Sequence, residues 1–330
     1  MLLRRRDWIA LAASVWWLPA GAVRHEQRRL FGSPVDLLTP VGSASTATAA
    51  VWRGLQTMNE RWNAWKPGEV TALNQALAQG RSAVVSPALR GLLLGAAAME
   101  RLSLGCFNAG IGGLVGQWGF HDDVMRAGAK PAAAELAPWL AAQPSLAQLR
   151  MQGHRVHSLN PRLQLDFGGY AKGVALDWAL DRLQLAGVPH ALLNLGGNLA
   201  AMGQPQGPGG QRAWRVGVRD PHGPGLAAQL DIQGREAVVT SGSYERFRVL
   251  DGERCTHVLD PRRGAPAPDL VSVTVVHRSA ALADAAATAL LVAGASGWRQ
   301  VAANMGVEQV LVIDHQGRQQ STPALAARLA

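Results

Sequence analysis

The chain has 330 residues, 48% of them hydrophobic and 17% charged, which excludes a disordered or tail-like protein and leaves length for a large core. Two cysteines, Cys106 and Cys255, exclude a disulfide framework and any cysteine-rich zinc or iron–sulfur centre. The net charge of +9 invites nucleic acid as a partner, but the one basic run longer than two is Arg4-Arg5-Arg6, so no nucleic-acid surface is implied. Only three of the 32 basic residues are lysines (Lys66, Lys130 and Lys172), which gives a lysine inside a motif added weight.

Met1–Ala22 has a basic start, an apolar stretch from Trp8 to Pro19 and small residues at Ala20-Gly21-Ala22, the three-part pattern of an export signal. Arg5-Arg6-Asp7-Trp8-Ile9 resembles a twin-arginine (Tat) signal. The apolar run falls short of the roughly twenty residues a spanning helix needs. The expectation is a signal over 1–22 and a mature domain over 23–330 in the periplasm, held at the inner membrane if the signal is uncleaved.

In the mature chain, Leu30–Leu38 reads as a strand, Thr46–Trp62 and Val70–Ala78 as helices around the Lys66-Pro67-Gly68 turn, and Pro87–Leu104 as a strong helix. A glycine-dense stretch from Gly105 to Gly119 follows, then turns and a helix over 121–150. Arg155–Leu159 and Leu163–Phe167 read as strands, Tyr170–Leu185 as a helix and Ala191–Leu195 as a strand. Residues 213–277 are strand-rich, with a hairpin over 246–258 across Asp251-Gly252. Helices at Ala281–Val292 and near Gly297–Met305 precede a last strand, Gln309–Ile313. Intermixed helices and hairpins, with no repeat and no linker, predict one α+β domain in layers around a mixed, largely antiparallel sheet.

Four familiar signatures are absent. Gly110–Gly116 misses the dinucleotide fingerprint because Val115 stands where the last glycine belongs, and there is no P-loop, G-x-S-x-G or H-E-x-x-H. Four other segments carry chemistry. In Asp166-Phe167-Gly168-Gly169-Tyr170-Ala171-Lys172-Gly173, a strand stops at two glycines and restarts as a helix. Such a junction offers N–H groups to an anion, with Lys172 one turn in as a cation. In Leu282–Leu290, Asp284 and Thr288 stand at i,i+4 on one helix face, with Asp284 expected to face solvent, and are two hard oxygen donors of the kind magnesium takes. His257 and Asp260 flank a strand end before the Pro261–Gly264 turn. Taken singly, each of these also fits ordinary turn or capping chemistry.

Together the segments resemble the FAD:protein FMN transferases, the ApbE family. The matching motifs are Trp118-Gly119-Phe120, the D-x-G-G-x-A-K-G run at 166–173, Asn194-Leu195-Gly196-Gly197-Asn198, Ser241–Arg246, His257–Pro261 and the helix around Asp284 and Thr288. The resemblance runs from Phe31 to Leu291. It implies an α+β flavin transferase domain with the T-fold-like layering of that family. The implied reaction is magnesium-dependent transfer of FMN from FAD to a Ser or Thr hydroxyl of a periplasm-facing acceptor flavoprotein, with release of AMP. Such an acceptor could belong to a membrane redox complex or to nitrous-oxide respiration. The pattern assigns cofactor contacts to Phe31, Trp65, Phe107, Asn108, Asp166, Lys172 and the backbone at Leu259, and metal contacts to the Gly169 carbonyl, Asp284 and Thr288. His257 is the candidate proton acceptor, with Asp260 as a possible partner in that role. Asn108 stands where the family has Asp, a residue that hydrogen-bonds without charge. Two other readings remain open from sequence: an FAD pyrophosphatase releasing FMN and AMP, and a non-catalytic periplasmic FAD-binding assembly factor.

Overall fold

The computed structural model describes residues 8–11, 14–17, 23–207 and 210–329. The twin arginines and the cleavage site of the expected signal, in residues 1–7 and 18–22, lie outside the described residues. The frame is an eight-stranded antiparallel sheet. From one edge it runs Gln319–Ser321, Gln309–Asp314, Leu270–His277, Arg235–Gly242, Asn198–Met202, Ala191–Leu195, Ser33–Pro40 and Val23–Leu30.

Both faces of this sheet are buried, and strand side chains alternate between two cores as the pleat requires. Leu37, Leu193, Val239, Val275 and Val312 enter the larger core, under the helices. Their neighbours Leu38, Leu192, Val238, Val276 and Ile313 enter a second core. That second core is closed by the antiparallel pair Arg215–Arg219 and Leu226–Asp231, which contributes Val216, Val218, Ala228 and Leu230. The backbone of Ser14–Trp17 pairs onto Arg215–Arg219, and Trp8–Leu11 pairs onto Ser14–Trp17. The near-continuous apolar runs of the central strands, which lack an outward polar face, follow from this double burial.

Helices Ala171–Leu185 and Ala280–Asn304 cover the sheet on the large-core side. Ser279 caps the second of them through Leu282 N–H, and Asp177 accepts from the N–H groups of Ala280 and Ala281. The sequence suggests two helices here. The structure has one helical span broken at Gly294, whose φ of 71° only glycine adopts at ease. The two helices touch at Gly173, where an added Cβ would collide with the Ala280 carbonyl. Gly173→Ala is therefore expected to lower stability by about 1–3 kcal/mol, readable as a drop in Tm, and an unchanged Tm would show that the helices can separate freely.

Two expectations are corrected. Leu30–Leu38 is not one strand: the chain reverses at Phe31 and Gly32, with φ of 53° and 72°, so that Val23–Leu30 pairs with Ser33–Pro40. Leu163–Phe167 is not a strand either, and makes only a bridge from Gln164 to Ile111. A third, smaller core gathers Ile111, Leu114, Trp118, Phe120, Trp139, Leu250, Cys255 and Leu259. The Phe247–Leu250/Glu253–Thr256 hairpin turns at Asp251-Gly252 as expected, both with positive φ. Cys106 and Cys255 are free, buried thiols in different cores.

Candidate active site

The site lies where several turns meet at one end of the large sheet. The Gly196-Gly197 turn packs on Ser33, beside Phe31, and Gly196 N–H donates to the Pro34 carbonyl. Asn194 Oδ1 accepts from Gly197 N–H (2.9 Å), which shapes that turn and aims Asn198 at the helices. Asn198 Nδ2 donates to Asp284 Oδ1 (2.8 Å), and Gly173 N–H donates to Asp284 Oδ2 (2.9 Å).

This arrangement corrects two readings. The sequence leaves Asp284 facing solvent on its helix, whereas the structure buries it at 2% exposure. The helix start at Ala171 does seat an anion, as expected, but the N–H of Gly173 is taken by the protein's own carboxylate. Burial raises the pKa of Asp284, opposed by Lys172 and by the two hydrogen bonds. Thr288, one turn along, has its Oγ1 3.3 Å from Ser241 Oγ. It also packs on Gly169, where a Cβ would meet Thr288 Oγ1 at 2.7 Å. Asp284, Thr288 and Gly169 are thus brought together, and Ser241, which the sequence marks only as the start of the Ser241–Arg246 motif, joins them.

Among the described residues no three His, Cys, Asp or Glu side chains gather as a metal cluster. The donors here are one carboxylate, two hydroxyls and a main-chain carbonyl, all hard oxygens. That set suits a hard divalent ion such as magnesium, which completes its octahedron with water and phosphate oxygens, and lacks the imidazole and thiolate donors that zinc or copper takes. Each Asp284 oxygen accepts one hydrogen bond and retains a lone pair for such an ion.

A second group of residues adjoins the first. Asp166 Oδ1 accepts from Gly168 N–H (2.8 Å), and Oδ2 meets His121 Nε2 (2.9 Å). Burial presses the Asp166 pKa upward, but His121, the Gly168 N–H and Arg246 outweigh it and hold the carboxyl below its usual range. His121 stacks on Trp65 with ring centroids 5.4 Å apart, and the Arg246 guanidinium lies over Trp65 at 5.1 Å. His121 and Arg246 were not expected as site residues. His121 belongs to no local motif, and Arg246 ends a motif read only as a family mark.

His257 Nδ1 lies 2.9 Å from the Arg246 carbonyl. A carbonyl only accepts, so Nδ1 carries the proton and Nε2 presents a lone pair. Burial first, then the positive charges of Arg246 and Lys172, push the His257 pKa down to about 4, against the raising effects of the Arg246 carbonyl and Asp166. Lys172 is within electrostatic reach of both His257 and Asp284. Among the described residues no carboxylate comes within ion-pair distance of its ammonium group, consistent with a cation free to meet an anionic ligand.

Other expected residues have structural occupations. Asn108 donates to the Pro144 carbonyl (2.8 Å) and accepts from Gly110 N–H (2.7 Å), so its amide shapes the loop. Phe107 is buried against Tyr170, with ring centroids 6.0 Å apart. Leu259 is a core residue on a two-residue strand with Asp260. Both Asp260 oxygens are held by Arg262 at 2.8 and 2.9 Å, and the Asp260 carbonyl accepts from Gly264 N–H. Asp260 therefore closes the turn and is not brought to His257 as a partner by any hydrogen bond.

The α+β domain sets a buried carboxylate, two hydroxyls, a lysine and a histidine around turns at one sheet end. The chain belongs to the ApbE family, whose family model matches residues 31–311. It is 40% identical over 336 residues to a Rhodobacter capsulatus protein named FAD:protein FMN transferase, covering 98% of this chain and 63% of that relative. A Treponema pallidum protein of the same name is 34% identical, covering 77% of this chain and 73% of the relative. In structure the chain is similar to the ApbE protein of Thermotoga maritima, with a TM-score of 0.83 at 25% identity over 93% of this chain and 99% of that one. It is also similar to the apo form of the Pseudomonas stutzeri flavinyl transferase ApbE, with a TM-score of 0.78 at 26% identity over 94% and 98%.

Proposed function

We propose that the protein transfers FMN from FAD to a Ser or Thr hydroxyl of an acceptor flavoprotein in the periplasm, with magnesium, releasing AMP. The observation that carries this reading is the meeting of Asp284 and Thr288 with Gly169 and Gly173 at the helix start that bears Lys172. Near it stands a histidine whose Nδ1 is taken by the Arg246 carbonyl, which leaves Nε2 bare. The names of the relatives support the same reaction.

Asp284, Thr288 and the Gly169 carbonyl would hold magnesium, which supplies charge neutralisation for the FAD pyrophosphate when bound. Lys172 adds a second positive charge to that region. The acceptor hydroxyl oxygen attacks the FMN-side phosphorus, forming a P–O bond, while the bond from that phosphorus to the bridging oxygen breaks and AMP leaves with both electrons. The hydroxyl proton passes to His257 Nε2, which its tautomer leaves free to accept. Trp65, Phe31 and Asp166 line the region from which the planar rings of FAD would be bound.

The test incubates the mature protein with FAD, Mg²⁺ and a flavoprotein acceptor domain, and looks for the mass of a covalent FMN adduct together with AMP. AMP release at full rate without an acceptor would reassign the protein to FAD hydrolysis, and absence of both products would remove the reading. Lys172→Ala is expected to weaken FAD binding about tenfold at low ionic strength, with the deficit shrinking as salt screens the charge. Titration of flavin fluorescence at two salt concentrations reads this directly, and equal affinities at low salt would place Lys172 outside the pyrophosphate site.

A further inference from the structure

We propose that Arg246 is a positioning residue for the proton-accepting histidine, holding the 120–122 segment and His257 in one fixed arrangement. The inference rests on the transfer reaction proposed above and extends it to a residue that no part of that reading uses. One residue makes all the connections. The Arg246 carbonyl accepts from both His257 N–H (3.1 Å) and His257 Nδ1 (2.9 Å), so its main chain fixes the position and the tautomer of the ring. Its guanidinium donates to the carbonyls of Phe120 (2.6 Å) and Asp122 (2.7 Å). Phe120 in turn sets its ring edge-on to His257, with centroids 6.2 Å apart and planes at 65°.

The loop therefore reaches the histidine by two routes, through the Arg246 fork and through the Phe120 ring. Between Phe120 and Asp122 stands His121, stacked on Trp65 and hydrogen-bonded to Asp166. Any ligand that settles on Trp65 or Asp166 thus presses on a loop whose attachment to the base is Arg246. Both short hydrogen bonds leave one guanidinium nitrogen, Nη2, which stands one bond beyond the reach of a lysine ammonium and belongs to a planar group seated over Trp65. The charged groups that act on His257 are Arg246, Lys172 and Asp166, so removing the guanidinium also removes one of two cations that disfavour its protonation.

Arg246→Gln and Arg246→Lys separate these contributions. For Arg246→Gln, kcat is expected to fall on the order of 10- to 100-fold, with KM for FAD changed less than about threefold. The His257 pKa, followed by NMR of the ring nitrogens in the cofactor-free protein, is expected to rise by about half a unit or more. Arg246→Lys keeps the charge but falls one bond short of the Phe120 and Asp122 carbonyls, so the His257 pKa stays near that of the wild type while kcat recovers only in part. If Arg246→Gln does not fold, the Lys variant decides alone: full wild-type kcat would overturn the proposal. A fall in kcat with unchanged His257 signals in the Gln variant would also overturn it, because the effect would then be structural only. Absence of AMP release by the wild type would instead strike the transfer reading, while the NMR comparison would still report on the link between Arg246 and His257.

Discussion

Asp284→Ala is expected to reduce AMP release and FMN transfer by at least about 10²- to 10³-fold, the largest loss from any single side chain here. It removes the one charged donor of the oxygen set and leaves Thr288, Ser241 and the Gly169 carbonyl, all neutral. Stability falls as well. The buried carboxylate accepts from Gly173 N–H and Asn198 Nδ2, and both donors lose their partner at a cost of about 1–3 kcal/mol. The helix junction at Gly173 would loosen with it. Asp284→Asn is the sharper control. Its amide can still accept from Asn198, but it points an NH₂ group at the Gly173 N–H, so activity stays low while Tm recovers only partly. Thr288→Ala should give a milder form of the same defect. Near wild-type transfer by Asp284→Ala at low Mg²⁺ would remove Asp284 from the metal site.

His257→Ala comes second, with an expected loss on the order of 10²-fold in transfer and FAD affinity within a few-fold of wild type. The pH dependence distinguishes this histidine from an ordinary one. With its pKa pushed down to about 4, the ring is neutral from about pH 5 upward. The rate should therefore show no decline near pH 6.5, and should fall only as pH approaches 4. The stability linkage runs in the same direction. Between pH 4 and 6.5 the unfolded chain binds a proton on this residue that the folded chain refuses, so stability is full above the unfolded value and is lost as pH falls through the window. His257→Ala should flatten that part of an acid-unfolding curve. A wild-type rate profile with its acid limb at pH 6.5 would contradict the buried, neutral imidazole.

The sequence made the helices at 45–61, 87–102, 171–185 and 280–304 legible, because caps such as Ser86 and Ser279 and long apolar stretches announce them. It also made the antiparallel character of residues 213–277 plain. The hairpin tip at Phe31 was hidden because the left-handed position holds an aromatic residue in place of Asn or Gly. The burial of Asp284 has a signal in the sequence. Residues 280–293 are apolar on almost every side, and a helix apolar all round is a buried one. Asn198 and Arg246 sat in recognisable motifs, but their partners lie far along the chain, at Asp284 and Phe120, and no spacing rule reports such pairs.

The order in which the chain supplies the site has a consequence for its synthesis. The helix start at Gly173 obtains its counter-carboxylate from a residue 111 positions later. Asn198 waits for the same group across 86 positions, and the strand Leu270–His277 pairs with Arg235–Gly242 to complete the floor beneath it. A nascent chain stopped before Asp284 presents unmatched donors at Gly173 and Asn198 on a sheet that still lacks its strands Gln309–Asp314 and Gln319–Ser321, and contacts of this span close slowly. The seat proposed for magnesium and FAD is therefore not assembled until Asp284 has been added, and loading would belong to the later chain.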